Sequence, residues 1–156
     1  MTYLNTSSLD VLIGILLGDG YLKKGKKYGQ LILETRSYPI LNELYKLFVE
    51  NKVKIIKEEL FLFLSPKALA YWIMSDGVSN QYGLTICTDA FTIKEVILLI
   101  NILKIRYDLN CSLHYLNKRP RIYIKADSMN KLRIILEPFI ISFSKYKLQK
   151  GKRPIS

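Results

Sequence analysis

One histidine, one tryptophan, two cysteines and four alanines are all that 156 residues hold of those types. Each scarcity excludes something. With His114 alone, neither a Ser/His/Asp catalytic set nor a multi-histidine metal site can be assembled, and His114 itself, between Leu113 and Tyr115, reads as a base contact or as plain surface. Cys87 and Cys111 are too far apart for a C-x-x-C site and fall in strand-like runs, so they read as small buried hydrophobes rather than as a metal pair or a disulfide. No Gly-rich phosphate loop is present. No apolar run approaches the roughly 20 residues of a membrane span, because Asn101 and Lys104 interrupt the richest stretch. No basic region precedes an apolar one at the N-terminus, so no secretory signal is expected.

Acid is scarce as well: 13 Asp+Glu against 24 Lys+Arg leave a formal charge of +11. Hydrophobic residues make up 49% of the chain, which implies a folded protein with a basic surface rather than a disordered basic tail. A nucleic acid is the first partner to expect. An anionic membrane surface comes well behind, since no helix is basic on one face and apolar on the other. The length allows a real core but is short for two full domains. Lysine outnumbers arginine 18 to 6 and isoleucine reaches 20, a bias that an AT-rich genome writes. Organellar genomes are often of that kind; some bacteria and viruses share it.

The strongest signal is a repeated nonapeptide. Leu12–Gly20 reads Leu-Ile-Gly-Ile-Leu-Leu-Gly-Asp-Gly, and Leu69–Gly77 reads Leu-Ala-Tyr-Trp-Ile-Met-Ser-Asp-Gly. Gly14 and Gly18 lie four apart, on one helix face, where a second backbone can approach closely. Gly20 and Gly77 suit the left-handed residue that ends a helix. Asp19 and Asp76 then sit at helix C-termini, where the macrodipole disfavours a carboxylate. Two helices that each bring an acid to the wrong end need a counter-charge, and a shared divalent cation would supply it. The plainer alternative is a structural helix pair with both acids solvated.

At these residues the chain resembles the LAGLIDADG homing endonucleases: Leu12, Gly14, Asp19 and Gly20 match the motif, as do Leu69, Ala70, Asp76 and Gly77. The wording from Ser65 to Gly77 is similar to the organellar, two-motif branch, as are Phe91-Thr92, Leu109-Asn110-Cys111, Ile122-Tyr123-Ile124, Asp127-Ser128 and Tyr146-Lys147-Leu148. The resemblance implies an α+β fold with pseudo-two-fold halves, two motif helices at its centre and an antiparallel β-saddle. It implies a sequence-specific double-strand DNA endonuclease using Mg²⁺ (or Mn²⁺), with Asp19, Asp76 and the neighbouring Gly18 and Ser75 at the metal. It also implies one supporting lysine per half: Lys147 in the second, and Lys54 in the first with Lys57 in reserve. An organelle-encoded protein of the mitochondrial or another organellar matrix fits this branch. The alternative within the family is a cleavage-incompetent RNA-binding relative, an intron maturase or a ribonucleoprotein component that holds structured RNA.

Along the chain, Ser7 or Ser8 is expected to cap a helix from Leu9 to Gly18, and Tyr21 to Arg36 to form a hairpin turning through Lys23, Lys24, Lys26 and Lys27. Pro39 opens a helix. Val53 to Leu64 reads either as a short hairpin turning at Lys57-Glu58 or as a linker. Ser65-Pro66 starts the second motif helix. Leu84 to Thr88 is a strand, preceded by one that must be tiny or absent, and Thr92 caps a helix from Ile93 to Tyr107. A second hairpin turns through Asn117-Lys118-Arg119-Pro120, and Asp127 or Ser128 caps a last helix from Met129. Phosphate contacts are expected from Lys23, Lys24, Lys26, Lys27, Lys118, Arg119 and Arg121, and from Lys145, Lys150, Lys152 and Arg153 of a basic tail.

The predicted layout is an abbreviated first half (1–64), a second half (65–144) and the tail (145–156). The motif acids are only 57 residues apart, so a helix and a hairpin are expected to be missing between Arg36 and Pro39. Leu31, Leu33, Phe61 and Phe63 would then want cover from a protein or ribonucleoprotein partner.

Overall fold

A computed structural model describes residues 6–18, 21–23, 32–34, 39–140 and 147–148. Two compact units divide them, Met1–Ser75 and Asp76–Ser156. In chain order the elements repeat helix, strand, strand, helix, strand, strand, helix. The first round is α1 (Thr6–Leu17), β1 (Tyr21–Lys23), β2 (Ile32–Glu34), α2 (Pro39–Phe48), β3 (Val49–Glu50), β4 (Val53–Lys54) and α3 (Leu60–Phe63). The second is α4 (Pro66–Asp76), β5 (Gly77–Ser79), β6 (Leu84–Ile86), α5 (Ile93–Tyr107), β7 (Cys111–Leu116), β8 (Arg119–Ile124) and, after a 3-10 turn at Ala126–Ser128, α6 (Met129–Leu136). The expectation of missing elements is therefore corrected. The first round is short because its second strand pair has two residues per strand and its last helix only four.

Within the first unit α1 and α4 pack backbone to backbone. Gly14 makes this possible: a Cβ placed there would meet Tyr71 Cβ at 2.6 Å, Trp72 N at 3.1 Å and the Ala68 carbonyl closer still. Tyr71 stands at the position of the second nonapeptide that corresponds to Gly14, so a large residue fills the space its counterpart leaves. Ile13, Leu16 and Leu17 of α1 are buried, as are Leu44 and Phe48 of α2, Leu60 of α3 and Leu69, Trp72 and Ile73 of α4. Ser65 caps α4, its hydroxyl accepting from Ala68 N at 3.1 Å. α1 begins at Thr6, so Ser7 and Ser8 lie inside the helix rather than ahead of its first residue.

The strands of the first unit depart furthest from expectation. β1 and β2 pair in parallel, Tyr21 with Ile32 and Lys23 with Glu34, so they are not the two arms of a hairpin. The hairpin of this unit is β3–β4, and it turns at Asn51-Lys52, not at Lys57-Glu58. Both turn residues have positive φ, 51° and 64°, the two left-handed positions of a type I′ turn. Beyond β4 the Ile55 N–H still donates to the Phe48 carbonyl at 2.8 Å, and Leu60–Phe63 then closes into one helical turn.

The second unit holds one antiparallel sheet in the order β5-β6-β8-β7. β5 exists and is only three residues long. Gly77 is its first residue, paired with Ile86, so the chain passes from α4 straight into the strand. Thr92 and Glu95 make a full capping box on α5, with Thr92 N donating to the Glu95 carboxylate at 2.9 Å and Glu95 N to the Thr92 hydroxyl at 3.3 Å. The β7–β8 turn is Asn117-Lys118, again left-handed at 50° and 63°, and two residues shorter than the expected four. Ser128 does not cap α6; its hydroxyl accepts instead from Asn110 N at 2.7 Å, tying the start of β7 to the 3-10 turn.

The sheet has two unlike faces. Leu84, Ile86, Ile122 and Ile124 point into the core with Val96, Leu99 and Leu103 of α5 and Leu132 and Leu136 of α6. By strand alternation and register, Val78, Thr85, Tyr123, Ser112, Arg121, His114 and Arg119 share the other face. His114 stacks on Tyr123 there, ring centroids 4.6 Å apart and planes 20° apart. Among the described residues, no helix is long and apolar enough to cross a membrane.

Candidate functional site

Each nonapeptide helix ends beside a lysine. In the first unit the Lys54 ammonium, at the end of β4, donates to the Gly18 carbonyl at 2.7 Å. A cation on the last carbonyls of a helix offsets the negative end of its dipole. The tight Asn51-Lys52 turn delivers Lys54 to that point, whereas the Lys57 ammonium donates to the Lys46 carbonyl at 2.6 Å. Asp19 and Gly20 lie outside the described residues.

In the second unit Asp76 is the last residue of α4 and half-buried, and its carbonyl accepts from Cys87 N at 3.0 Å. Lys147 lies within electrostatic reach of that carboxylate and of Cys87. Partial burial pulls the Lys147 ammonium below the ordinary lysine range, against the opposing pull of Asp76 and Cys87. The Arg133 guanidinium of α6 donates from Nε to the Leu148 carbonyl, holding the backbone one residue beyond Lys147. Cys87 follows β6 in this cluster, and burial raises its thiol above the usual value. Neither cysteine is bridged; burial pushes Cys111 to about 12, which makes it an inert, uncharged thiol.

Of the proposed metal-site residues, Ser75 is exposed in the last turn of α4, and Gly18 offers a carbonyl that Lys54 already engages. Among the described residues no three His, Cys, Asp or Glu side chains cluster as a ready-made metal site. Of the basic residues, Lys118 is exposed at the β7–β8 turn, and Arg119 and Arg121 follow it along the open face of the sheet. Arg121 does not project as a lone cation: Asp89 takes Nε at 2.8 Å and Nη2 at 2.7 Å. Asp89 was not picked out by the sequence, since its partner lies 32 residues away. The one available signal was an acid directly after a strand that lines a basic face. Lys23 ends β1; Lys24, Lys26, Lys27, Lys145, Lys150, Lys152 and Arg153 lie outside the described residues.

These arrangements can be set beside known proteins. The model of the LAGLIDADG DNA endonuclease family matches residues 23–132, a span that takes in the second nonapeptide but not the first. A Wickerhamomyces canadensis protein named "Probable intron-encoded endonuclease 1" is 36% identical over 123 residues, 74% of this chain and 53% of its own length. The cytochrome b mRNA maturase bI2 of Debaryomyces hansenii is 35% identical over 116 residues, 73% of this chain and 44% of its own length. The chain thus spans about half the length of these relatives. The structure of the homing endonuclease I-WcaI bound to its DNA recognition sequence superposes with a TM-score of 0.85 at 28% identity, covering 97% of this chain and 90% of that one. The α+β fold with its repeated helix–strand–strand unit is the fold of that enzyme. On the family match and on these identities, the chain belongs to the LAGLIDADG DNA endonuclease family.

Proposed function

We propose that the chain is a sequence-specific, divalent-metal-dependent endonuclease that hydrolyses both strands of duplex DNA. The observation that carries this reading is the delivery of one lysine to the end of each nonapeptide helix, Lys54 onto the Gly18 carbonyl and Lys147 beside Asp76. Either ammonium alone could serve as a helix cap, but the same placement at both repeats, each at an Asp-Gly end, is the arrangement that metal-assisted phosphodiester hydrolysis calls for. Asp19 and Asp76 are the proposed metal-binding carboxylates, with the Gly18 and Ser75 carbonyls as further oxygen donors. An all-oxygen donor set of this kind suits Mg²⁺ or Mn²⁺. A bound Mg²⁺ would activate water and stabilise the departing oxygen of the phosphodiester. Lys54 and Lys147 add positive charge where the transition state is more anionic than the substrate. The open sheet face, with Lys118, Arg119 and Arg121, lies on DNA, and an organellar matrix is the proposed location.

The relative named as an mRNA maturase favours a second reading, a family member that holds structured RNA and does not cut. The exposed Leu62 of α3, at 70% exposure between Phe61 and Phe63, is where a protein or ribonucleoprotein partner would cover the first unit. The two readings separate in one experiment. Purified protein is incubated with a plasmid carrying its own intronless locus, in Mg²⁺ or in chelator, with the intron RNA as competitor. Metal-dependent linearisation that the RNA does not suppress supports the endonuclease. Tight RNA binding without any cut supports the second reading.

A further inference from the structure

The pairing of Arg121 with Asp89 is more constrained than a surface ion pair needs to be. Asp89 sits in the segment between β6 and α5, and four hydrogen bonds fasten that segment to β8. The buried Thr88 hydroxyl donates to the Pro120 carbonyl at 2.8 Å, Arg119 Nη1 donates to the Asp89 carbonyl at 3.1 Å, and the carboxylate grips Arg121. The grip is side-on: Oδ1 accepts from Nε and Oδ2 from Nη2. The arginine lowers the Asp89 carboxyl below its usual range, so the acid stays ionised at neutral pH. Arg121 is thereby held in one orientation with its end-on edge, Nη1 and the outer N–H of Nη2, unused among the described residues. The edge belongs to the open face of the sheet. It is flanked by Tyr123 two residues along β8 and by His114 opposite, and these two rings are stacked on each other.

A phosphate is a poor match for this edge. Any phosphate that faced the guanidinium would also face the Asp89 carboxylate, which is 42% exposed on its side chain. The neutral acceptor pair O6 and N7 of guanine carries no such penalty, and its spacing fits the two end-on donors of arginine. We propose that Arg121 is a guanine-reading residue and that Asp89 is the positioning residue that aims it. The assignment replaces the phosphate contact expected for Arg121 from the sequence. It rests on the reading of the open face as a duplex-DNA surface.

The test is selection of binding sites from a pool of randomised duplex DNA, in Ca²⁺ to prevent cutting, by the full chain and by its Arg121→Ala and Asp89→Ala variants. The wild type should enrich a site with an invariant guanine. Arg121→Ala should lose the preference at that one position by roughly 5- to 150-fold, with the other positions intact. The salt slope of binding should be unchanged, whereas loss of a phosphate contact lowers it by about one unit. Asp89→Ala keeps the guanidinium and should weaken the preference at the same position alone, and its result decides should the arginine variant fail to fold. Preferences intact at every position in Asp89→Ala, or a uniform loss with a reduced salt slope in Arg121→Ala, overturns the assignment while leaving the DNA reading in place. A wild type that enriches no sequence at all overturns the DNA reading, and this assignment with it.

Discussion

Gly14→Ala is the smallest perturbation that reaches the contact on which the first unit is built. The new methyl carbon would stand 2.6 Å from Tyr71 Cβ and 3.1 Å from Trp72 N, and nearer still to the Ala68 carbonyl oxygen. Carbon atoms settle about 3.5–4.0 Å apart, so the α1–α4 contact must open by about 1 Å. The obstructing atoms are backbone and a Cβ, which no rotamer change can move aside. Overpacking of this kind costs about 1–3 kcal/mol, and a rigid obstacle places it near the upper end. Alanine gains about 1 kcal/mol over glycine in helix propensity. Sterics therefore win, by about 2 kcal/mol. For a chain of this length each kcal/mol moves Tm by about 2–4 °C, which predicts a fall of about 4–8 °C. Thermal unfolding followed by circular dichroism on the protein alone reads it. A Tm equal to or above that of the wild type would mean that propensity won, and that α1 and α4 are not in backbone contact at Gly14.

Other consequences are smaller or more local. Lys54→Met leaves the Gly18 carbonyl without its charged donor and should cost about 1–3 kcal/mol in urea unfolding, with no change in m. Lys118→Gly relieves a residue held at φ 63° and should stabilise the fold by about 0.5–1 kcal/mol, while lowering the salt slope of DNA binding by about one unit. Lys147, its folded pKa pulled down by burial, should become a neutral amine at lower pH than exposed lysines, so competitive acylation followed by mass spectrometry should show it titrating first as the pH rises. Asp89 is shifted in the acidic direction by Arg121. Its contribution to stability should therefore be present above the unfolded carboxyl pKa of about 3.9 and vanish as the pH falls through the lower folded value. Acid unfolding of Asp89→Asn against wild type checks the sign.

Much of this architecture was legible because it is written locally. The Thr92-x-x-Glu95 box starts α5 at the expected residue, Pro39 starts α2, and Ser65-Pro66 starts α4. Gly14, four residues before Gly18, forecast a close backbone approach, and the approach is there. Most of the misses share a cause: a distant partner decided the outcome. The Ser128 hydroxyl could cap α6 but is engaged by Asn110, 18 residues earlier. β1 and β2 look like hairpin arms in sequence, yet strand direction is set by pairing, which no run of three residues encodes. The Asn51-Lys52 turn went unnoticed because its strands are two residues long and show no alternation to read. Lys54 and Lys147 are named through family resemblance, not chemistry; an isolated lysine carries no sequence mark of the carbonyl or carboxylate it will face. The charge of Arg121 is visible in the sequence, while the Asp89 that pairs with it is visible only in the fold.

Cleavage by the Asp76→Asn variant is the most direct test of the account. Wild type and variant are compared on the same duplex carrying the intronless locus, with Mg²⁺, and binding is measured in parallel with Ca²⁺. The substitution keeps the size of the side chain at the end of α4 and removes only its charge. The account predicts that the wild type cuts both strands and that the variant binds at least as tightly, relieved of a carboxylate near phosphates, but does not cut. A variant that cuts at the wild-type rate would contradict the assignment of Asp76 to the metal. A wild type that binds this duplex but leaves it whole in Mg²⁺ would contradict the endonuclease itself.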